Sequence, residues 1–394
     1  MRVFRALRFA GIWPDETARD WRVVMSSSAL RLDSEIKNAN GSKKSLQKGS
    51  FEEISTLADS LSEKVDVAIA EIEQVNRQTK LISFNAQIEA ARAGEQGRAF
   101  SIVASEMGKL AGQTNIVVHK LKEQTREDIK EIGKVLGSLA SDVRGVRLTD
   151  LALTNIDLID RNLYERSCDV RWWATDASAV RVLTEKSHEA AALASQRLGV
   201  ILKAYTVYFD LVLADLDGRI VANGRTDLYR SVGTNHKDAL WFKSACSTKS
   251  GDDYGFQGVH QSALVNNEHA LVYSCTVRQN GDTHAPVVGV LGIIFHWNSL
   301  AQTIMMKTPI PEDERERTRV CITDEHGLVL ADSWNKILGE TINFGGREAL
   351  FSSAAKYISA EIFGDETLIA HAQSPGFETY KTGWHSLILQ RIKA

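Results

Sequence analysis

Apolar residues in the first half of the chain recur at alternating steps of three and four, which is the spacing of a coiled-coil seam. The surrounding sequence favours helix, because residues 30–200 contain no proline. The pattern therefore predicts a long helix with one apolar stripe. The stripe consists of Phe51, Ile54, Ala58, Leu61, Val65, Ala68, Ile72, Val75, Thr79, Ile82 and Ala86.

A second stripe begins after two nearby glycines, Gly94 and Gly97, and it slips once before it resumes. Two stripes on either side of a short glycine-bearing segment predict an antiparallel helical hairpin. Since one hairpin buries little by itself, we expect two copies to pack as a four-helix bundle in a homodimer. The second stripe consists of Phe100, Val103, Met107, Leu110, Thr114, Val117 and Leu121, then Ile129, Ile132, Leu136, Leu139, Val143 and Val146.

The pattern changes near residue 205, where short β-branched and aromatic runs alternate with glycine-bearing turns. Residues 210–223 read DLVLADLDGRIVAN, and residues 319–332 read RVCITDEHGLVLAD. Each copy has a strand, an acidic turn with glycine and a second strand, at an offset of about 109 residues. The repeat predicts two tandem α+β modules, at about 200–300 and 301–394. Residues 100–200 are predicted to form one long helix that leads into them, kinked near Gly145.

Composition and charge narrow the function classes. The 394 residues carry a formal net charge of −3, so nothing global indicates nucleic acid. Four widely spaced cysteines suit neither a zinc site nor a disulfide framework, and we expect no metal and no cofactor. No apolar run reaches the roughly 18–20 residues of a membrane helix. We therefore expect a soluble, cytoplasmic protein whose residues 1–29 form a tail. Its first fourteen residues are basic, and contact of this segment with an anionic membrane surface is the alternative to a frayed end.

The segment between the two stripes carries the most specific motif. Residues 88–100 read IEAARAGEQGRAF, within a longer match over residues 81–111. This segment resembles the signalling tip of methyl-accepting chemotaxis proteins. The resemblance implies a hairpin over residues 30–147, with its tip near 92–98, that binds a chemotaxis histidine kinase and its coupling adaptor. It assigns the contact to Asn85, Glu89, Arg92, Glu95, Arg98 and Phe100.

Two features depart from that family. Arg77 and Lys80 put charge where many receptors have an aromatic residue and an asparagine that help receptor dimers meet. The hairpin is also short compared with those of the family. Glu52 and Glu53 form the only adjacent acidic pair in its first arm. Methylation at Glu52 or Glu53 is one interpretation of this pair, and an exposed acidic pair without this role is the alternative. Membership of ordinary receptor arrays is therefore an open question.

Residues 148–394 resemble a double Cache sensor, with a leading helix and two tandem modules. The predicted fold class is thus α+β: a long antiparallel coiled-coil hairpin joined by a long helix to two PAS-like antiparallel-sheet modules. The resemblance implies a small-molecule pocket in the first module. It assigns this pocket to Trp241, Phe242, Tyr254 and Tyr273. The alternative for Trp241 and Phe242 is that they fill the hydrophobic core between the helix and the sheet.

These features together predict a transducer and not an enzyme, because no nucleotide loop, cyclase motif or phosphodiesterase motif is present in the sequence. The sensor would bind a small ligand, and the hairpin tip would control the kinase. The alternative is a dimeric cytoplasmic ligand-binding sensor that regulates a partner outside chemotaxis. Arg77, Lys80 and the short hairpin favour that alternative.

Overall fold

The computed structural model describes residues 54, 56–58 and 60–392, and it divides into two compact units, Met1–Asp142 and Val143–Ala394. The sequence placed the corresponding boundary at residues 147 and 148. The predicted tail at 1–29 and the candidate methylation sites Glu52 and Glu53 lie outside the described residues.

The first unit is a helical hairpin, as the two apolar stripes predicted. Helix α1 covers residues 60–92, a 3-10 turn covers Gly94–Gly97, and helix α2 begins at Arg98. The chain leaves α1 through a bond from the Ala93 N–H to the Glu89 carbonyl at 3.1 Å. Gly94 then takes a φ of +58°, a conformation that favours glycine and lets the chain reverse.

The two arms touch through a column of small residues. The Ser83 hydroxyl on α1 donates to the Ala104 carbonyl on α2 at 2.7 Å. A Cβ atom at Gly97 would lie 2.1 Å from the Ala90 carbonyl oxygen, so the backbones meet there. Because the column repeats every seven residues, it follows one face of each helix. Its buried members are Ile69, Asn76, Ser83, Ala90, Gly97, Ala104, Ala111 and Val118.

The apolar stripes read from the sequence are largely exposed in the single chain. Val75 is 61% exposed and Val117 is 65% exposed, although both belong to the predicted seam. Closing one hairpin therefore buries the small-residue column and leaves the large side chains uncovered. Other exposed stripe residues are Ile54, Leu61, Ile72, Ile82, Phe100, Val103, Leu110, Leu121, Ile132, Leu139 and Val146.

The prediction of one unbroken helix over residues 100–200 is wrong, because α2 ends at Trp173. The Asp176 side chain then accepts from the Ser178 N–H at 2.8 Å and caps a new helix. That helix ends at Lys186, which has a φ of +52°, and the Ser187 hydroxyl caps the next one. The three helices are α2 (Arg98–Trp173), α3 (Ala177–Glu185) and α4 (His188–Ala204).

Gly145, where a kink was expected, lies within α2, which remains helical at this position. The residue is buried, and a Cβ atom there would come within 2.5 Å of the Tyr357 ring. Glycine at this position therefore permits close packing of α2 on the second module.

The second unit contains two modules with the same topology. Each has a five-stranded antiparallel sheet, in the orders β2-β1-β5-β4-β3 and β7-β6-β10-β9-β8. The internal repeat predicted this duplication, which the structure confirms. The first module comprises β1 (Tyr208–Asp215), β2 (Ile220–Asn223), α5 (Leu240–Cys246), β3 (Gly255–Ser262), β4 (Glu268–Arg278) and β5 (Val287–His296).

Two short helices, α6 (Trp297–Lys307) and α7 (Glu312–Arg315), lead to the second module. The largest apolar core contains residues of α2, α3 and α4 and of one face of each sheet. Two smaller cores cover the opposite faces, beneath α5 and α8. The second module comprises β6 (Thr318–Thr323), β7 (Val329–Asp332), α8 (Arg347–Phe351), β8 (Ala355–Ile362), β9 (Asp365–Gln373) and β10 (His385–Arg391).

The close approach at the hairpin turn makes Gly97 intolerant of a side chain. We expect Gly97→Ala to lower the free energy of unfolding of the hairpin by about 1–3 kcal/mol, because its methyl group meets backbone and not a flexible side chain. Gly112 on the same helix has no atom within 4 Å of an added Cβ, so Gly112→Ala is the matched control. That control should be neutral or stabilising. Urea unfolding followed by circular dichroism measures both, and equal effects would contradict the packing described here.

Candidate functional site

The tip of the hairpin presents the six residues singled out in the sequence. All six are exposed around the 3-10 turn, and none belongs to the buried column between the arms. Residues that are exposed at a rigid turn can contact a partner without unfolding the hairpin. The six are Asn85, Glu89, Arg92, Glu95, Arg98 and Phe100.

The charges at the tip form few pairs with one another. The Arg92 guanidinium lies 3.2 Å from the Glu89 carboxylate, and both side chains are exposed. Within the described residues, Glu95 and Arg98 make no ion pair. Since an exposed pair contributes little to stability, these charges are available to a partner surface.

Asn85 is exposed and lies outside the buried contact between the arms. The polar residues that do lie there are Asn76 and Ser83, both buried. The Asn76 side-chain amide is 3.5 Å from the Asn115 side-chain oxygen on the other arm. A pattern based on large apolar residues missed this column, whereas small residues at steps of seven would have indicated it.

The four aromatic residues proposed for a pocket in the first module lie on two faces of its sheet. Trp241 and Phe242 are buried beneath α5 in the smaller core, and the Trp241 ring covers Gly292 of β5. Tyr273 and Tyr254 pack in the large core on the opposite face. The structure therefore does not bring the four into one pocket.

In the first module, Trp241 and Phe242 fill the core beneath α5. The second module has a pair of histidines in the corresponding core beneath α8. The His371 Nε2 atom lies 2.8 Å from the His385 Nδ1 atom, and both rings stack on Phe351 of α8. Both imidazoles are buried, and the His371 Nδ1 atom has no hydrogen-bond partner. Sequence reasoning missed this pair, although each histidine lies at an inward position of its strand.

Burial sets the protonation of this pair. Burial, with a smaller contribution from the neighbouring His385, lowers the pKa of His371 to about 3. Burial also lowers the pKa of His385 to about 4, while Asp324 opposes this shift and Lys381 adds to it. Both rings are therefore neutral at pH 7, and a single proton joins their facing nitrogens.

Each module has a buried polar pair that joins its first two strands, and the two pairs differ in charge. Asp210 in β1 accepts from the Asn223 amide at 2.7 Å and from the N–H groups of Gly224 and Arg225 at 3.0 Å. The repeat places Arg319 and Asp332 at the corresponding positions, where the guanidinium binds the carboxylate through two bonds of 2.8 and 2.9 Å. Both pairs tie the first hairpin of a module together.

The hairpin region matches a known family model. Residues 23–158, about a third of the chain, match the model of the methyl-accepting chemotaxis protein signalling domain. The hairpin is therefore similar in sequence to this signalling domain. The match includes the tip and both described arms near it, which agrees with the prediction made from residues 81–111.

Curated relatives match over part of the chain. A probable methyl-accepting chemotaxis protein of Bacillus thuringiensis is 38% identical over 96 residues, which is 24% of this chain and 15% of the relative. The methyl-accepting chemotaxis protein McpQ of Pseudomonas putida is 34% identical over 149 residues, 37% of this chain and 20% of the relative. The chain thus spans a fifth or less of the length of these two proteins.

A solved structure is similar to part of the chain. The ligand-binding domain of the Campylobacter jejuni chemoreceptor Tlp3, in complex with 4-methylisoleucine, gives a TM-score of 0.48 at 13% identity. The similarity covers 64% of this chain and 92% of that domain.

Two further properties concern the described residues alone. None of the helices in residues 54, 56–58 and 60–392 combines the length and apolar character needed to cross a bilayer. Over the same residues, no group of three or more His, Cys, Asp or Glu side chains could hold a metal ion.

The buried histidine pair predicts a pH-dependent stability of the second module. Because the unfolded chain binds protons near pH 6.5 and the folded pair does not, the stability is greatest above that pH. It should fall as pH drops toward 4, by up to about 1.4 kcal/mol per pH unit for each histidine. Urea unfolding at pH 7.5 and pH 5 measures the difference.

The double variant His371→Gln/His385→Gln should reduce that difference between the two pH values. His326 lies exposed in the turn between β6 and β7, so His326→Gln is the control and should leave the difference as it is. An unchanged pH dependence in the double variant would show that other groups cause the acid sensitivity.

Proposed function

We propose that this chain is a chemotaxis-type signal transducer, in which residues 148–394 sense a small ligand and the hairpin tip controls a histidine kinase through a coupling adaptor. The observation that carries the proposal is the exposure of all six tip residues at a tight turn inside the matched signalling domain. The proposal places the protein in the cytoplasm, where such a kinase and adaptor would meet the tip.

The sensing part of the proposal concerns the duplicated modules, which we interpret as a double Cache sensor. In the first module, α5 has seven residues and no side-chain cap at its N-terminus, and it holds Trp241 over Gly292. A ligand at this face would have to displace the Trp241 side chain. Binding and movement of α5 would then be coupled, as a sensor requires.

The proposal includes a homodimer formed along the exposed apolar stripes. The single hairpin leaves large aliphatic side chains exposed, among them Val75, Ile82, Val103 and Leu110. Burial of these side chains against a second copy would favour association. A second copy offers the same stripes, so the pairing would bury both sets in a four-helix bundle.

A second candidate function follows from the charge at Arg77 and Lys80. Both residues are exposed, and Arg77 lies 3.7 Å from Glu73 on the same helix. These charges stand where receptor dimers of the family meet, so the hairpin would regulate a partner outside the receptor arrays. Binding of the chemotaxis kinase is the observation that separates the two functions.

The tip predicts a charge-reversal experiment with a matched control. We expect Arg92→Glu to weaken binding of the kinase–adaptor complex at least tenfold, because it inverts a charge on the proposed contact. Lys109 forms a comparable exposed ion pair with Glu106 at 3.2 Å, away from the turn, so Lys109→Glu is the control. Co-precipitation and kinase assays with the purified complex provide the measurement.

If the unaltered chain fails to bind the chemotaxis kinase, the first function is wrong and the second candidate gains support. If Arg92→Glu and Lys109→Glu weaken binding equally, the contact is not at the tip.

The exposed stripes predict that charge in the seam prevents dimerisation. We expect Ile82→Lys or Leu110→Lys to raise the dissociation constant of the dimer at least tenfold, since each buries a charge among apolar side chains. Ile116 is equally exposed but lies outside the heptad stripe, which makes Ile116→Lys the control. Sedimentation equilibrium over a range of concentrations measures the constants. A dimer that survives both seam substitutions would place the interface elsewhere.

A further inference from the structure

The loop between β9 and β10, residues 374–384, has a defined conformation of its own, and we call it the strap. Its ends are joined by a bond from the Ser374 N–H to the Trp384 carbonyl at 2.8 Å. Its middle is a tight turn in which Phe377 and Tyr380 exchange backbone bonds of 2.8 and 2.9 Å. Glu378 takes a φ of +52° in this turn. The strap is therefore a small hairpin that can move as one piece.

The strap is hydrogen-bonded to a buried carboxylate of the long helix α2. Asp160 is fully buried and accepts from the Ser374 hydroxyl at 2.6 Å, the Gly376 N–H at 2.8 Å and the Thr382 hydroxyl at 2.8 Å. All three donors belong to the strap. Because a buried charge without partners is costly, Asp160 and the strap must stay together or separate together.

Phe377 of the strap makes further contacts with α2. The Phe377 ring packs edge-on against Tyr164 at 5.3 Å, and the Arg161 guanidinium lies 4.5 Å from the centre of the same ring. The strap thus holds a full turn of α2 through one carboxylate and one aromatic side chain.

The other side of the strap contacts the first module. The Tyr380 hydroxyl is hydrogen-bonded to the Tyr273 hydroxyl, and both side chains are buried. Tyr254 of the first module also packs near the Tyr380 ring, at 6.4 Å. A loop of the second module therefore binds both the sheet of the first module and the helix α2.

Strand β4, which contains Tyr273, also contacts α5 on the opposite face of the sheet. Ser274 follows Tyr273 along the strand and points to the opposite face of the sheet. Its hydroxyl donates to the Trp241 carbonyl in α5 at 2.6 Å. Adjacent residues of β4 thus touch α5 on one face and the strap on the other.

From these contacts we infer that the strap is the coupling element of the sensor. A displacement of α5 or β4 changes the bond between Tyr273 and Tyr380, and the strap transfers this change to Asp160 on α2. The inference deepens the proposed function and rests on it, since it assumes that the first module senses and α2 carries the signal. Each link is a buried hydrogen bond, so a shift leaves unpaired groups and favours two discrete arrangements.

Hydrogen–deuterium exchange on the full chain tests the strap without ligand or kinase. We expect Tyr273→Phe to increase exchange about fivefold in residues 374–384 and in the turn of α2 around Asp160, because it removes one hydrogen bond from a buried pair. Tyr380→Phe removes the same bond from the other side and should reproduce the pattern. Asp160→Asn should increase exchange in the strap and in β4 around Tyr273.

The control is a second tyrosine that links the first module to the same helix. The Tyr208 hydroxyl donates to Asp169 without involving the strap. Tyr208→Phe should affect α2 near Asp169 and leave residues 374–384 unchanged. The strap is not the coupling element if Tyr273→Phe and Tyr380→Phe leave the turn around Asp160 unchanged, or if Tyr208→Phe gives the same pattern. Kinase binding plays no part here, so failure of the proposed function and failure of this relay are separate results.

Discussion

The packing of the C-terminal part of α2 on both modules is the constraint on which the second unit depends. Its inward side chains are completely buried, and they form one face of the helix. Because a single helix serves two sheets, neither module can shift along it without disturbing the other. The inward residues are Leu148, Ala152, Ile156, Ile159, Leu163 and Val170.

Polar contacts add specificity to this apolar packing. Asp160 binds the strap of the second module, and Asp169 accepts from Tyr208 of the first. Apolar burial gives the helix its affinity for the sheets, but it would tolerate sliding by a turn. Buried carboxylates do not tolerate sliding, because each would lose its donors. The helix is therefore held in one register against both modules.

The duplicated modules show how one topology carries different chemistry. Trp241 packs over Gly292 in the first module, where the glycine leaves room for the indole ring. In the second module, Phe351 stacks on His371 and His385, so the corresponding apolar core contains a polar pair. The strand order is unchanged because it depends on backbone pairing and on the large core, which both modules share. The faces beneath α5 and α8 were free to diverge.

Much of the fold could be predicted from the sequence, because period and turn chemistry are local properties. The steps of three and four predicted the hairpin, and the repeat at 210–223 and 319–332 predicted the two modules. The helix ends at Asp176 and Ser187 also carry local signals, although the absence of proline obscured them. The signalling tip was recognisable because its residues are contiguous.

The tertiary structure alone decided which partner covers each face. A heptad pattern says which residues share a side of a helix, but it does not say that Ser83 and Ala104 meet while Val75 and Val117 stay exposed. Alternation in a strand likewise cannot say what packs on either face. The sequence by itself therefore determined the hairpin, the two modules, their order and the tip. Contacts between residues far apart in the chain, such as Asp160 with the strap, were decided only when the modules packed together, because they depend on long-range geometry.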